Sequence, residues 1–321
     1  MSEPRVSVRV GSRTLSLSNI AKVLYPRDGF TKGDVIEYYR RIAPQILPHL
    51  RGRPLTLQRY PNGIDAESFF EKHVPKGTPD WVERFDASSS ENGKSVTFIV
   101  CNDEPTLVFV ANLASLILHV WTSRIESIED PDFAFFDLDP GERCTLKTLA
   151  RVAVALRATL QDIGLQSLVK TSGGMGLHVV VPLKGGYGYA AIKLFAEAIA
   201  HQLSGVCGPE VTLERTIKKR DDRAVYLDYV QVGRGKTYVA PYSLRARDGA
   251  PVSTPLDWSE VEAFTRKRTD ALPEAAFVAY RMRTIFKRIE KDGDLWGGKF
   301  WHPQRLEAAI ARARSSFAAP I

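Results

Sequence analysis

Two aspartates one residue apart, Asp137 and Asp139, close an apolar run that reads Phe-Ala-Phe-Phe-Asp-Leu-Asp-Pro-Gly-Glu over residues 133–142. In a β-strand, residues i and i+2 face the same way, so both carboxylates project together from the strand's end. Held roughly 7 Å apart by that repeat, they repel each other unless a proton or a cation lies between them. A pair of divalent cations meets that need, and two-metal sites serve phosphoryl transfer. An Asp-Pro turn in which Asp139 bonds its own backbone accounts for the same residues. The pair alone does not choose between the two readings.

A third carboxylate sits in Ala-Val-Tyr-Leu-Asp-Tyr-Val, residues 224–230. Read as a strand, this segment puts Tyr226, Asp228 and Val230 on one face, with an aspartate in mid-strand, where it is disfavoured. Either Asp228 faces water on an edge strand, or it joins Asp137 and Asp139 from a neighbouring strand. The second arrangement makes an all-oxygen site, suited to magnesium or manganese over zinc.

Residues 170–182, Lys-Thr-Ser-Gly-Gly-Met-Gly-Leu-His-Val-Val-Val-Pro, join two strands through a glycine-rich turn. Glycines there let backbone N–H groups approach an anion closely. Ser172 adds a hydroxyl, and His178 can point back toward the turn; a structural histidine is the alternative. The Gly-Lys-Ser/Thr ending of a P-loop is missing, and a strand rather than a helix follows, unlike a Rossmann turn. Arg215, Lys218, Lys219, Arg220, Arg223, Lys236 and Arg245 lie near the third carboxylate in sequence. Part of that group is a solvated turn, and part is available to grip phosphates. Phe69 and Phe70 lie beside Lys72, His73 and Lys76. In an extended segment adjacent side chains oppose each other, so one Phe is expected in the core and the other free to stack on a base.

The elements that must position these residues follow from periodicity. Val6, Val8, Val10, Leu15 and Leu17 alternate as a hairpin does. Val35, Tyr38, Tyr39 and Ile42 share a helical face, which predicts a helix over 31–47 stopped by Pro48. Strands are expected at 54–60, 95–100, 167–171 and 177–182, and helices at 107–121, 145–163, 189–203 and 259–290. Residues 248–255, rich in Gly and Pro, read as a surface connection. Alternating strands and helices imply a mixed α/β or α+β fold.

Composition permits all of this and narrows it little. Lys and Arg outnumber Asp and Glu by 44 to 37, a net charge of +7, which allows a nucleic-acid partner. Three scattered cysteines fit neither a disulfide framework nor a zinc knuckle. No apolar run reaches transmembrane length, and the first residues lack a signal-peptide core; a cytoplasmic protein without a membrane partner is expected.

In combination, the order Asp-Leu-Asp, Ser-Gly-Gly-Met-Gly-Leu-His, then a strand Asp resembles the archaeo-eukaryotic primase superfamily. More closely it resembles the polymerase domain of bacterial DNA ligase D and its stand-alone relatives. Further matching segments are Lys22-Val-Leu-Tyr-Pro, Thr31-Lys32, Arg59-Tyr-Pro-Asn-Gly63, Ala66-Glu-Ser-Phe-Phe-Glu-Lys-His73, Asp80-Trp-Val82, His119-Val-Trp and Ala240-Pro-Tyr-Ser-Leu-Arg245. The resemblance runs from about residue 15 to about 300.

It implies an α+β primase-polymerase fold: an N-terminal α/β lobe over 1–125, an RRM-like catalytic sheet over 126–260 and C-terminal helices over 261–321, together one catalytic unit. It further implies that Asp137, Asp139 and Asp228 bind two manganese or magnesium ions, with no zinc. Ser172, Gly173, Gly174, His178, His119, Lys219, Arg220, Gln231 and Arg245 would hold a nucleoside triphosphate. Asn19, Lys22 and Lys32 would take the 5′-phosphate at a DNA gap or overhanging end, and Phe69 and Phe70 would stack on the template. Ku and a DNA ligase are the implied partners, and end joining or gap filling the implied role. Two departures stand out: Met175 where many relatives have a lysine, and Gln58 where they often have a basic residue. A metal-dependent nuclease and a non-catalytic DNA-end-binding module are the competing readings.

Overall fold

In the computed structural model of the chain, period-two alternation closes the expected hairpin. Here β1 (Arg5–Val10) runs antiparallel to β2 (Arg13–Ser18) with Val8 opposite Leu15. The structure describes residues 5–88, 95–266, 271–297, 302–307 and 309. They group into two compact units. One lies within Met1–Glu126, Thr237–Ser253 and Tyr280–Lys287, the other within Ser127–Lys236, Thr254–Ala279 and Arg288–Ile321.

In the first unit a short hairpin, β3 (Val23–Tyr25) with β4 (Phe30–Thr31), leads into α1 (Lys32–Arg41). Thr31 caps that helix: its Oγ1 accepts from Asp34 N at 3.2 Å while Asp34 Oδ2 accepts from Thr31 N at 2.7 Å, a capping box. The single helix predicted over 31–47 is in fact two, because α2 (Ala43–Leu50) starts separately and contains Pro48. Pro44 causes the break. It has no N–H to continue α1, and its fixed φ suits a first turn. Next come β5 (Pro54–Arg59), β6 (Phe69–Glu71), β7 (Arg84–Ser88) and β8 (Ser95–Val100). The helix predicted over 107–121 is replaced by α3 (Glu104–Asn112) and β9 (Ser115–Val120). The apolar run there carries no period to separate the two. Its turn is made by Ala114 at φ +56°, a left-handed conformation that no glycine announces.

In the second unit β10 (Phe133–Pro140) carries the aspartate pair. Thr145 caps α4 (Leu146–Asp162), accepting from Thr148 N at 3.1 Å. Leu149, Val152, Ala153, Leu156 and Leu160 make the buried stripe of α4. Then follow β11 (Leu168–Thr171), β12 (Leu177–Pro182), α5 (Tyr189–Cys207, longer than expected), β13 (Val211–Thr212) and β14 (Val225–Asp228). Every residue of β12 is buried. Each of its three fully buried valines contributes on the order of 1.5–3 kcal/mol, which locks the strand's register. The strand expected to reach residue 230 ends at Asp228, because Val230–Val232 forms a 3₁₀ turn. Asp228 is thus a strand-end residue, not a mid-strand one.

The chain then adds one strand to each unit. β15 (Tyr238–Val239) pairs with β9, giving the first unit a sheet in the order β15-β9-β5-β8-β7, with β6 on β5. β16 (Pro255–Leu256) pairs with β11, completing a sheet in the order β13-β14-β10-β12-β11-β16. Residues 248–255 are therefore no surface connection: Ala250, Val252, Ser253 and Thr254 are buried, and Val252 N donates to Tyr280 O at 2.8 Å. Helices α6 (Trp258–Arg266), α7 (Pro273–Phe277) and α8 (Ile285–Asp292) follow. Of the helical region expected over 259–290, residues 267–270 lie outside the described residues, as do 298–301, 308 and 310–321 of the C-terminal stretch. No helix among the described residues is long and apolar enough to cross a membrane.

Candidate active site

Strand pairing gathers the chemistry of the second unit. β10 lies between β14 and β12, with Asp137 opposite Asp228 on one side and opposite His178 on the other. Lys170 of β11 stands opposite His178 in turn. Directly opposed residues share a face, with Cβ atoms about 4.5–5.5 Å apart. Asp228, Asp137, His178 and Lys170 thus form one row across the sheet. Asp139 projects from the same face two residues on, opposite Tyr226. The other face carries Phe136, whose ring lies 6.3 Å from Phe195 of α5, so α5 covers the apolar side.

His178 is buried, and its Nε2 lies 3.2 Å from Asp137 Oδ1. Pairing fixes the face of this imidazole, and it meets the carboxylate of β10. The Asp228 carboxylate is held from its own 3₁₀ turn: Oδ1 accepts from Val230 N and Oδ2 from Gln231 Nε2, each at 3.0 Å. Gln231 is thereby tied to Asp228.

The glycine turn is organised from within. Ser172 Oγ accepts from Gly174 N at 3.1 Å and Gly176 N at 3.2 Å, and Gly173 takes φ +76°. Those two N–H groups serve the turn rather than a bound anion, while the Ser172 hydroxyl keeps its own hydrogen to donate. Gly176 packs so closely on β10 that a Cβ would fall 2.5 Å from Leu138 O.

Next to Asp139, Arg220 lays its guanidinium over the Tyr226 ring, with Cζ 3.4 Å from the centroid. Burial pushes the Tyr226 phenol above its usual pKa. Both residues line a cavity of about 270 Å³ together with Asp139, Gly141 and Thr212. Lys219 stands exposed on the neighbouring 3₁₀ turn.

In the first unit, Asn19, Lys22 and Lys32 come together at the start of α1. Asn19 turns the chain at φ +55°, Lys22 N donates to Asn19 O at 3.0 Å, and Lys32 N donates to Lys22 O at 2.8 Å. Lys22 Nζ reaches Asn62 Oδ1 at 2.7 Å and the buried Lys32 Nζ reaches Ser18 Oγ at 3.2 Å. Two ammonium groups at a helix N-terminus favour an anion.

Phe69 and Phe70 are 44% and 60% exposed, so the expectation that one fills the core is wrong. β6 is a three-residue strand that pairs with β5. The Phe70 ring lies 5.5 Å from that of His119, and the Arg59 guanidinium lies 5.3 Å from the Phe69 ring. Arg245, whose carbonyl accepts from Tyr25 Oη at 3.0 Å, also belongs to this unit. His119 and Arg245 are thus in the first unit; Ser172, Gly173, Gly174, His178, Lys219, Arg220, Gln231 and the three aspartates are in the second.

The family described as the primase-polymerase domain of LigD matches residues 31–296. The chain belongs to that family. It is similar to the multifunctional non-homologous end joining protein LigD of Mycolicibacterium smegmatis, with 37% identity over 281 residues, 87% of this chain and 35% of that protein. It is also similar to the bifunctional LigD of Bacillus subtilis, with 33% identity over 291 residues, 90% of this chain and 45% of that protein. The chain therefore spans less than half the length of these relatives. Among solved structures, the polymerase domain from Mycobacterium tuberculosis ligase D in complex with DNA superposes with a TM-score of 0.80 at 31% identity. That match covers 90% of this chain and 99% of the other. The mixed α/β architecture is accordingly that of the LigD polymerase domain.

Divalent metal is implied by the family, and the donor set fits in kind: three carboxylates, two of them in direct register, offer the oxygen ligands that hard cations take. As the side chains stand, no three His, Cys, Asp or Glu among the described residues converge into a metal-holding group. Two residues beside the candidate site escaped the sequence reading. Lys170 is fully buried, with Nζ donating to Thr171 O at 3.4 Å; a lysine inside an apolar strand was its signal. Tyr226 shares a face with Asp228, and only the register reveals that it opposes Asp139.

Proposed function

We propose that the chain is a template-directed nucleotidyltransferase of the primase-polymerase type. It adds ribo- or deoxyribonucleotides at DNA gaps or double-strand-break ends, in non-homologous end joining or gap filling. The observation that carries this reading is the register of Asp137 opposite Asp228, with Asp139 on the same face, in a chain of the LigD polymerase family. The DNA bound by the M. tuberculosis domain supports it.

Magnesium or manganese ions held by Asp137, Asp139 and Asp228 would supply a lowered pKa at the primer 3′-hydroxyl and neutralise charge on the departing pyrophosphate. The side chains position and stabilise. His178 braces Asp137, Gln231 braces Asp228, and the Ser172 hydroxyl and Arg220 offer donors to triphosphate oxygens. Asn19, Lys22 and Lys32 hold the 5′-phosphate at the N-terminus of α1, and the exposed Phe69 and Phe70 stack on template bases. Ku and a DNA ligase are the proposed partners, and the bacterial nucleoid the place of action.

The test is nucleotide incorporation on gapped, overhanging and single-stranded templates with manganese or magnesium, using wild type, Asp137→Ala and Asp139→Ala. Extension by wild type alone, with DNA binding retained in both variants, is the expected result. Normal synthesis by either variant removes the carboxylate site. Degradation of labelled DNA without added nucleotides makes the protein a nuclease, and end binding without incorporation makes it a docking module.

A further inference from the structure

Arg220 is held by backbone carbonyls and a ring face rather than by a carboxylate hydrogen bond. Arg143, Arg157 and Arg288 each pair with a carboxylate, on Asp222, Glu262 and Glu260 respectively. Arg220 instead donates Nε to Glu214 O at 2.7 Å and Nη2 to Arg215 O at 3.0 Å, and rests its plane on Tyr226. Two carbonyls and a ring face fix the plane of the group. Of the five N–H donors of a guanidinium, the two on Nη1 and one on Nη2 remain for a ligand. Tyr226 is tied down on both sides, opposite Asp139 on β10 and beside Thr212 on β13. Only 7% of it is exposed. Among the described residues, Arg220 is the one cationic residue on the wall of the 270 Å³ cavity that Asp139 lines, with Glu142, Asp221 and Asp222 also on that wall.

We propose that Tyr226 is a positioning residue that fixes Arg220 as a preformed cation beside Asp139, to receive the phosphate tail of the incoming nucleoside triphosphate. The inference rests on the nucleotidyltransferase reading above and adds to it a reason for the aromatic ring on the catalytic face. A ring face is the support that serves here. A carboxylate in its place would neutralise the guanidinium, and an aliphatic side chain would lose the attraction between the cation and the π-face.

Single-nucleotide incorporation on a primed template tests this in wild type, Tyr226→Leu, Tyr226→Phe, Arg220→Ala, Arg220→Lys and the Tyr226→Leu/Arg220→Ala double variant. Tyr226→Leu should raise KM for the nucleotide by about 2- to 30-fold, the range that a cation–π contact spans. Its kcat and DNA affinity should stay near wild type. Tyr226→Phe keeps the ring and should match wild type. Removing the ring from Arg220→Ala should change nothing further, since residues acting as a pair are not additive. Arg220→Lys keeps the charge but neither the plane nor the two carbonyl bonds, and should resemble Arg220→Ala. It decides the matter if Tyr226→Leu fails to fold.

The inference is overturned by additive losses in the double variant, by a Tyr226→Phe defect equal to that of Tyr226→Leu, or by wild-type behaviour of Arg220→Lys. A normal KM in Tyr226→Leu with a raised KM in Arg220→Ala removes the positioning role alone. A normal KM in Arg220→Ala removes Arg220 from the triphosphate contacts and this inference with it. A wild-type protein that incorporates nothing refutes the nucleotidyltransferase reading itself.

Discussion

Gly176→Ala should cripple the site although Gly176 carries no functional side chain of its own. Gly176 closes the Ser172 turn, donating to Ser172 Oγ at 3.2 Å and accepting from Ser172 N at 2.9 Å. A Cβ added there would meet Leu138 O at 2.5 Å and Asp139 Oδ1 at 3.4 Å. Ordinary van der Waals contact needs the carbonyl about 1 Å further away, and neither backbone is free to move, since Leu138 is paired with Leu177 on β12 and with Leu227 on β14. Forcing that much volume into a packed contact costs about 1–3 kcal/mol. Leu138 lies between the two aspartates, so the same displacement is carried into both. A shift of about 1 Å in a reacting constellation costs on the order of 100-fold in rate. Urea unfolding and single-turnover nucleotide addition measure the two effects. Gly188→Ala is the control, because a Cβ there meets nothing within 4 Å. Full activity and an unshifted unfolding midpoint in Gly176→Ala would falsify the close approach of turn and strand.

Lys22→Ala combined with Lys32→Ala should abolish preference for a 5′-phosphorylated gap over an unphosphorylated one; equal binding by wild type to both gaps would sink that pocket. Phe70→Ala should weaken binding to single-stranded template by about 1–3 kcal/mol, the worth of one base stacked on an aromatic ring. A titration with a fluorescent overhang checks it, and an unchanged Kd denies the stacking. Burial pushes the Cys144 thiol up to about 12, and that of the fully buried Cys101 higher still. Because the thiolate is the reactive form and is scarce below the pKa, on the order of one Cys144 in 10⁴ is ionised at pH 8. Iodoacetamide on the native protein at that pH should spare both residues until denaturant is added; mass spectrometry showing rapid native labelling would refute the burial.

Part of the candidate site's geometry is legible in the sequence, for a physical reason. Strand period alone puts Asp137 and Asp139 on one face, and the structure adds what period cannot give: which strand lies alongside, and in what register. Asp228 reaches Asp137 from 91 positions away in sequence, a separation that no local pattern encodes. Elements were lost where local signals compete. The run through residues 107–120 is apolar on every face, so neither helix nor strand period stands out, and Ala114 turns it without a glycine. Pro48 was read as a stop although Pro44 already breaks the helix. Residues 248–255 carry the composition of a surface loop, yet Ala250, Val252 and Ser253 are buried by pairing that only tertiary structure supplies. Lys170 and Tyr226 were invisible as site residues for the same reason as the register: their importance lies in what stands opposite them.

The row formed by Asp228, Asp137, His178 and Lys170 has a consequence for how this protein tolerates insertions and deletions. Successive residues of β10 alternate between the carboxylate face and the face packed under α5, so losing or gaining one codon inside the strand exchanges the two. Phe136 and Leu138 would then stand where the aspartates do, and the aspartates would be driven beneath the helix layer, where an unpaired carboxylate is expensive. Such a lesion cannot yield a folded but inactive chain. Point substitutions at Asp137 or Asp139 can do so, and among inactive variants recovered from a random library, in-frame indels in residues 133–139 should be confined to the insoluble fraction.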